Sequence, residues 1–286
     1  MRRVEFTDAI PKSASGKILR RQLVEREYQA ATHRRDLTGR PQGVPMSQNG
    51  SPLADTRNMY IIHMVFRREF GLLPGLVRSV AHRDEERTKV VTDHITLLSG
   101  LLHHHHEAED AVLWPLLLAR APKEIDPVVH LAEGHHQRVD SLLAEVDVRL
   151  AAWADGAASE DGEALSETLD RLAALLFEHM GLEEQLVLPL VERHVFETEW
   201  LAMEELAISA IDPQDFALIV GMALYDGSID IVPEALRDEI VPVAPGVYAD
   251  YAERVHGTRT PPRVKEVGIG TPYVGVGAAT PGRPTT

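Results

Sequence analysis

The chain has no cysteine among its 286 residues, and this absence excludes several kinds of site at once. Disulfide cross-links, thiolate zinc sites, cysteine-ligated iron–sulfur clusters and a cysteine nucleophile all need a thiol. An apolar N-terminal segment of the kind that directs secretion is also missing. Both absences favour a cytoplasmic protein.

Long apolar runs and an excess of positive charge are lacking too. The longest useful apolar stretch, Phe216 to Tyr225, is too short to span a bilayer, so we expect no membrane association. The formal net charge of −15 argues against nucleic acid as the main partner. The chain does have 44% hydrophobic residues, enough for a sizeable core, and an excess of carboxylates with 14 histidines. That set of side chains suits hard or borderline metal ions.

A histidine-and-carboxylate motif occurs twice. In each copy a histidine precedes a glutamate by four residues, a second carboxylate follows directly, and a proline ends a short apolar run; the copies start at His105 and His179. On an α-helix, residues four apart lie on one face, so an imidazole nitrogen and a carboxylate oxygen can bind one small cation. A single copy is more typical of a surface ion pair.

A solitary histidine precedes each motif at matched spacing. His63 lies 42 residues before His105, and His136 lies 43 residues before His179. The pattern predicts a duplicated helix pair that brings ligands to two cations. The predicted metal ligands are His63, His105, Glu109, His136, His179 and Glu183.

Neighbouring histidines leave alternatives open at two positions. Only one residue of the run 103–106 is expected to face the centre, because a helix turns about 100° per residue. Alignment of the two copies on their prolines favours His105, and the competing register pairs His106 with Asp110. In the third helix, His135 competes with the favoured His136. His94 lies about 16 Å along the helix from the site and is expected to be structural.

Helical periodicity continues almost unbroken from about residue 58 to 197. It predicts an all-α, up-down-up-down four-helix bundle, with helices over 57–81, 84–120, 126–154 and 163–194. Pro115 is expected to kink or separate the last turn of the second helix. A helical extension is predicted over 198–256, with helices over 201–209, 213–226, 230–239 and 247–256. Proline, glycine and threonine dominate the tail 257–286, which is expected to be disordered.

The first 30 residues differ from the rest of the chain. Val4 to Arg21 looks like the last stretch of an acyl-CoA synthetase, a family in which the lysine matching Lys17 contacts the substrate carboxylate and phosphate. Nothing in the chain resembles the large ATP-binding domain of such a ligase. We therefore interpret 1–30 as a remnant of an upstream reading frame, 31–57 as a flexible linker, and Met46 as an alternative start. A simple basic helix is the other reading.

Residues 58–197 resemble the hemerythrin family, in particular its HHE cation-binding domains. Their motif is one His, then His-x-x-x-Glu, then one His, then His-x-x-x-Glu, across four helices. Two further phrases, Leu113-Trp114-Pro115 and Val255-His256-Gly257-Thr258, look like actinobacterial members. The resemblance implies an oxo- or hydroxo-bridged pair of iron ions, with manganese a poorer fit. Both glutamates would bridge the irons, leaving an open position for O2, peroxide or NO.

Asp140 departs from the family's oxygen carriers, which have a second histidine at that place in the third helix. Catalase-like peroxide disproportionation or a response to NO is therefore favoured over oxygen transport. Tyr60 lies one turn before His63 and is either a donor to the site or a half-buried tyrosine.

Three other function classes have some support in the sequence. A non-catalytic sensor of oxygen, iron or redox state would act through the C-terminal helices. A ferritin-like oxidase needs two Glu-x-x-His motifs, and Glu133-x-x-His136 is the one that fits. An adenylate-forming ligase rests on the N-terminal fragment alone. No particular protein partner is indicated.

Overall fold

The structure is a computed structural model that describes residues 50–121, 125–227, 232 and 234–263. The segment that resembles an acyl-CoA synthetase lies outside these residues, as do Met46 and the tail from residue 264. Within them, extended pairing is limited to one isolated antiparallel bridge between Leu53 and Phe196. The fold is therefore all-α, as the sequence predicts.

Four long helices form a bundle, and the second and fourth continue past a short π-helical segment. The bundle helices are α1 (Arg57–Arg78), α2 (Glu85–Ala108), α4 (Asp126–Ala154) and α5 (Ser159–Leu182). The segment π1 (Glu109–Leu113) joins α2 to α3 (Trp114–Arg120), and π2 (Glu183–Val187) joins α5 to α6 (Leu188–His194). Each bundle helix packs against two others, in the cyclic order α1, α2, α4, α5. The predicted four-helix bundle is confirmed.

Two details of the helix bounds differ from the expectation. Helix α1 continues through Pro74 and ends at Arg78, three residues early, where the Ser79 hydroxyl donates to the Leu76 carbonyl at 2.7 Å. Helix α5 begins at Ser159, four residues before the predicted start. The loop between α1 and α2 is therefore longer than expected, and the loop between α4 and α5 is shorter.

Proline explains the π-helical segments. Pro115 and Pro189 are the second residues of α3 and α6 and have no N–H for the usual bond to the carbonyl four residues earlier. The preceding residues, Trp114 and Leu188, instead donate to the carbonyls of Glu109 and Glu183, five residues back. The expected kink at Pro115 is thus one wide turn within a continuing helix.

Two apolar clusters fill the bundle, one above the other. One contains Phe66, Leu102 and the α5 residues around Leu176, and the other contains Met59 and Trp114. All four bundle helices pass from one cluster to the other. The predicted ligands lie at that crossing, so a polar layer is enclosed between two apolar layers.

The C-terminal extension packs onto the bundle beside α1. It contains α7 (Glu197–Ser209), α8 (Phe216–Asp226), α9 (Glu234–Ile240) and α10 (Ala244–His256). Helices α8 and α10 cross so closely that a Cβ at Gly221 would lie 2.3 Å from the Ala244 carbonyl oxygen. Val65 of α1 packs into a cluster with Met222 and Tyr248. The extension therefore shares a hydrophobic interface with the helix that carries His63.

Both ends of the described chain make specific contacts. Leu53 and Ala54, within the predicted linker, are buried, and the Ala54 N–H donates to the Val195 carbonyl at 3.0 Å. After α10, the Tyr225 hydroxyl donates to the Pro261 carbonyl at 2.8 Å. Residues 257–263, which open the predicted disordered tail, thus follow the surface of the extension. In the described part of the chain, every helix is too short or too polar to cross a bilayer.

Candidate metal centre

The six ligands predicted from the sequence meet in the interior of the bundle. Each of them is at most 9% exposed. The set, called the bundle cluster below, comprises His63 on α1, His105 on α2, Glu109 on π1, His136 on α4, His179 on α5 and Glu183 on π2. Each of the four bundle helices therefore contributes at least one donor, directly or through the π-helical segment that continues it.

Each glutamate of the bundle cluster directs its two oxygens to two different imidazoles. Glu109 Oε1 lies 3.6 Å from His105 Nε2, and its Oε2 lies 3.5 Å from His136 Nε2. Glu183 Oε1 lies 3.4 Å from His179 Nε2, and its Oε2 lies 3.3 Å from His63 Nε2. Every carboxylate therefore connects a histidine on its own helix to one on a neighbouring helix.

These contacts divide the cluster into two halves. One half has His63 and His105, whose ring centroids are 5.7 Å apart. The other has His136 and His179, whose Nε2 atoms are 3.1 Å apart. Each half also receives one oxygen from each carboxylate. This is the arrangement by which two carboxylates can bridge two ions.

The carboxylates that follow the two glutamates hold the solitary histidines in place. Asp110 accepts a hydrogen bond from His136 Nδ1 at 2.7 Å, and Glu184 accepts one from His63 Nδ1 at 2.9 Å. Asp110 also accepts from Trp114 Nε1 at 2.8 Å. Because a carboxylate only accepts, these contacts put the proton on Nδ1 and leave the Nε2 lone pair for the centre. Asp110 and Glu184 therefore orient the rings of His136 and His63 within the cluster.

His106 is also buried, which contradicts the expectation that one residue of the run faces inward. It is 2% exposed, and its ring stacks on that of His136 at 4.0 Å with an interplanar angle of 13°. Helix α2 lies between α1 and α4, so adjacent residues can face different neighbours. His105 faces His63, and His106 faces the half with His136 and His179.

The alternative alignment of the motif, which pairs His106 with Asp110, had indicated His106 as a possible ligand. Donor atoms of His106, Glu109, His136 and His179 lie within 4.8 Å of one another. Its predicted partner Asp110 does not pair with it, because Asp110 bonds His136 instead. His106 thus reaches the site in a different role from the one that register supposed.

The remaining candidates lie at or beyond the edge of the site. His135 is buried, but its Nε2 is 3.9 Å from the exposed carboxylate of Glu178. Asp140 is exposed and does not join the cluster. The Tyr60 hydroxyl donates to the Glu184 carbonyl at 3.4 Å, so it contacts the backbone behind an orienting carboxylate.

At His63 burial is outweighed by the carboxylates of Glu183 and Glu184, which raise its pKa, whereas at His105 and His179 burial dominates. Burial lowers the pKa of His105 to about 3 and that of His179 to about 4. Burial, and then the charge of Glu183, raises the pKa of Glu109 well above its ordinary value. Burial opposes ionisation of Glu183 as well, but the neighbouring imidazoles of His179 and His63 lower its pKa. Neutral imidazoles beside carboxylates that compete for protons are ready to accept cations.

Unpartnered atoms show that cations fit this interior. In the described part of the chain, no hydrogen bond reaches His63 Nε2, His105 Nε2 or any carboxylate oxygen of Glu109 and Glu183. A buried polar atom without a partner costs about 1–3 kcal/mol. Metal ions at the two halves would satisfy all of these atoms with nitrogen and oxygen donors of the kinds iron accepts.

Comparison with known protein families agrees with this geometry. Residues 55–191 match the family model of the Hemerythrin HHE cation binding domain. The match spans the bundle from the start of α1 into α6 and includes all six predicted ligands. It supports a metal-binding bundle of the hemerythrin type, while the narrower actinobacterial likeness stays a prediction. Searches of curated proteins and of solved structures returned no match to the chain.

Proposed function

We propose that the bundle holds two iron ions and binds or disproportionates small oxidants, namely O2, peroxide or NO. The observation that carries this proposal is the way Glu109 and Glu183 divide their oxygens between two pairs of imidazoles. A site for one ion would not need that division. Two ions, one held in each half, would together use every donor, including both oxygens of Glu109 and of Glu183.

The two halves would differ in their imidazoles. His63 and His105 would bind one ion, and His136 and His179 would bind the other. His106, the fifth imidazole of the site, lies in the half with His136 and His179. These residues would hold iron, whose ferrous and ferric states would supply redox chemistry toward a small oxidant. The chain's own side chains set the geometry of that reaction.

The surroundings of the site favour small ligands. Phe66 packs against His105 at a centroid distance of 5.3 Å, and Trp114 packs against His136 at 5.7 Å. Apolar residues above and below the polar layer exclude bulk water. Asp110 and Glu184 accept the Nδ1 protons of His136 and His63 and hold those rings still. This environment suits molecules of a few atoms.

Iron content and peroxide turnover test the proposal. The full chain, purified in air, should contain two irons per chain, absorb in the near ultraviolet by charge transfer, and release O2 from peroxide. Glu183→Ala should lose iron and turnover together, whereas His103→Ala, on an exposed residue of α2, should retain both. Iron well below two per chain after anaerobic reloading with ferrous salt would contradict the diiron proposal.

A sensor is the second candidate, and the position of α1 favours it. This helix carries His63 at the site, and six residues later Glu69 bonds to Tyr248 of the extension at 2.9 Å. A movement of α1 that follows the state of the metals would reach α10 directly. Hydrogen exchange should then differ at 244–256 between oxidised and reduced protein, without peroxide turnover. Unchanged exchange with rapid turnover would favour the enzyme.

A further inference from the structure

A second buried group of histidine and carboxylate lies where the extension packs on the bundle. Glu69 of α1, His94 of α2 and His256 at the end of α10 form this group, called the extension cluster below. Glu69 and His94 are fully buried, and the side chain of His256 is 4% exposed. The three residues come from three helices and lie outside the duplicated motif.

One oxygen of Glu69 lies between the two imidazoles. Glu69 Oε2 accepts a hydrogen bond from His256 Nε2 at 3.1 Å and lies 3.3 Å from His94 Nε2. Donor atoms bound to one ion at about 2.0–2.2 Å are roughly 3–3.5 Å apart. The histidine–carboxylate distances of the bundle cluster, 3.3–3.6 Å, are closely similar. The extension cluster therefore has the spacing of metal ligands.

His94 Nε2 gives independent support for a ligand. It is fully buried and, despite its distance of 3.3 Å from Glu69 Oε2, makes no hydrogen bond within the described ranges. Its other nitrogen, Nδ1, bonds to the Tyr251 hydroxyl at 2.9 Å. When Nδ1 donates to that hydroxyl oxygen, Nε2 presents a lone pair to the cluster. A hydrogen bond on the far nitrogen is how metal-binding histidines are usually oriented.

The other oxygen of Glu69 is already satisfied. Oε1 accepts from Arg68 Nε at 2.8 Å and from the Tyr248 hydroxyl at 2.9 Å. These bonds fix the carboxylate plane and leave Oε2 directed at the imidazoles. The cluster thus has an oriented carboxylate and an oriented imidazole before any ion binds.

The charge of the group also suits a cation. The Arg68 guanidinium pairs with Asp226 as well as Glu69, and all three side chains are at most 5% exposed. One positive and two negative charges leave a net charge of −1 when both imidazoles are neutral. A cation bound beside Glu69 would offset this remaining negative charge.

We propose that Glu69, His94 and His256 bind one divalent transition-metal ion of the Zn²⁺ or Fe²⁺ class. Two histidines and one carboxylate are a common ligand set for both ions. The ion would connect α1 and α2 of the bundle to the end of α10. Gly257, with φ of 72°, ends that helix directly after the ligand and turns the chain away. This site is separate from the bundle cluster and does not depend on its function.

Zinc stoichiometry tests the proposal on the full chain. Metal-stripped protein is dialysed against Zn²⁺, and bound zinc is counted. His256→Gln should bind one zinc fewer than the unmodified chain. A chain with Glu109→Ala and Glu183→Ala, which disables the bundle cluster, should still bind one zinc. Adding His256→Gln to that double variant should remove it. His130→Gln, on an exposed histidine of α4, is the matched control and should bind as much zinc as the unmodified chain.

Cobalt provides a readout that does not rely on counting. Co²⁺ added to the Glu109→Ala, Glu183→Ala chain should give a visible absorption band with one equivalent, and the band should vanish with His94→Gln or His256→Gln. Zn²⁺ should raise the melting temperature of the double variant but not of the same chain carrying His256→Gln. A double variant that folds yet shows no band and no zinc-dependent shift would overturn the second site. Zinc binding unchanged by both histidine substitutions would do the same.

Discussion

The bundle cluster and the extension cluster contain the same kinds of side chain but balance their charges differently. In the bundle cluster, Glu109 and Glu183 have imidazoles as their nearest charged or polar neighbours, and burial raises the pKa of Glu109. In the extension cluster, burial acts on Glu69 in the same direction, but the charge of Arg68, the hydrogen bond from His256 and the nearby imidazole of His94 hold its pKa well below the ordinary value. The extension cluster contains a permanent cation, the Arg68 guanidinium. The bundle cluster has none and would have to bind metal ions.

This difference indicates which site depends on metal for stability. The bundle cluster buries two carboxylates whose oxygens have no hydrogen-bond partner in the described residues, so the protein without metal should be strained there. The extension cluster keeps Glu69 compensated by Arg68 with or without an ion. Metal at either site should stabilise the fold by binding to it, but removal of metal should leave unpartnered buried carboxylates in the bundle cluster only.

Removal of metal should have the largest effect. Chelation under reducing conditions should lower the free energy of unfolding by about 4 kcal/mol for each ion held at a thousandfold excess over its Kd. The Glu109→Ala, Glu183→Ala chain should lose the share of two ions, and His256→Gln should lose the share of one. Denaturant titrations with and without chelator measure it. An equal loss in both variants would erase the contrast between the clusters.

Removal of the permanent cation comes next. Arg68→Met leaves Glu69 and Asp226 buried without their partner and should destabilise the chain by about 3–5 kcal/mol. Arg67→Met is the matched control, because the adjacent Arg67 pairs with the partly exposed Glu184 at 2.6 Å. Urea denaturation of both variants provides the measurement. Similar losses for the two substitutions would show that Arg68 has no special role.

The orienting carboxylates should affect metal affinity more than stability. Asp110→Asn keeps the shape of the side chain but weakens the acceptor for His136 Nδ1, so iron affinity should fall about 10–100-fold. Glu184→Gln should act similarly through His63. Competition with a chromophoric iron chelator measures both. Unchanged affinity in the two variants would mean that packing alone orients these rings.

The residues of the bundle cluster can be predicted from the sequence because their spacing is local and occurs twice. Residues four apart on a helix share a face, and the second copy of the pattern excluded a chance ion pair. The burial of both His105 and His106 is not predicted from the sequence. Adjacent residues can both be buried only when a helix lies deep between two neighbours, as α2 does, and that depth is a property of packing. The extension cluster has no local spacing: Glu69, His94 and His256 meet because α8 and α10 pack beside α1.

A further carboxylate, the partly buried Glu204 of α7, provides the smallest and cleanest test of the role of partners. Asn58 donates to its Oε1 at 3.1 Å, and burial, opposed by that bond, raises its pKa to about 7. Because the folded pKa is raised, the stabilising contribution of Glu204 is complete below about pH 4.5 and is lost as the pH rises through about 7.

Glu204→Gln mimics the protonated acid and should therefore match the unmodified chain near pH 5 more closely than at pH 8. At pH 8 it should be more stable by up to about 3 kcal/mol, since the shift from 4.5 to about 7 is about 2.5 units and each unit corresponds to about 1.4 kcal/mol. Melting of the metal-loaded chain across this range measures the difference. Glu167→Gln, on an exposed residue of α5, removes the same charge and should show no such trend. A flat difference for Glu204→Gln would mean that the amide of Asn58 alone keeps this carboxylate ionised, as Arg68 does for Glu69.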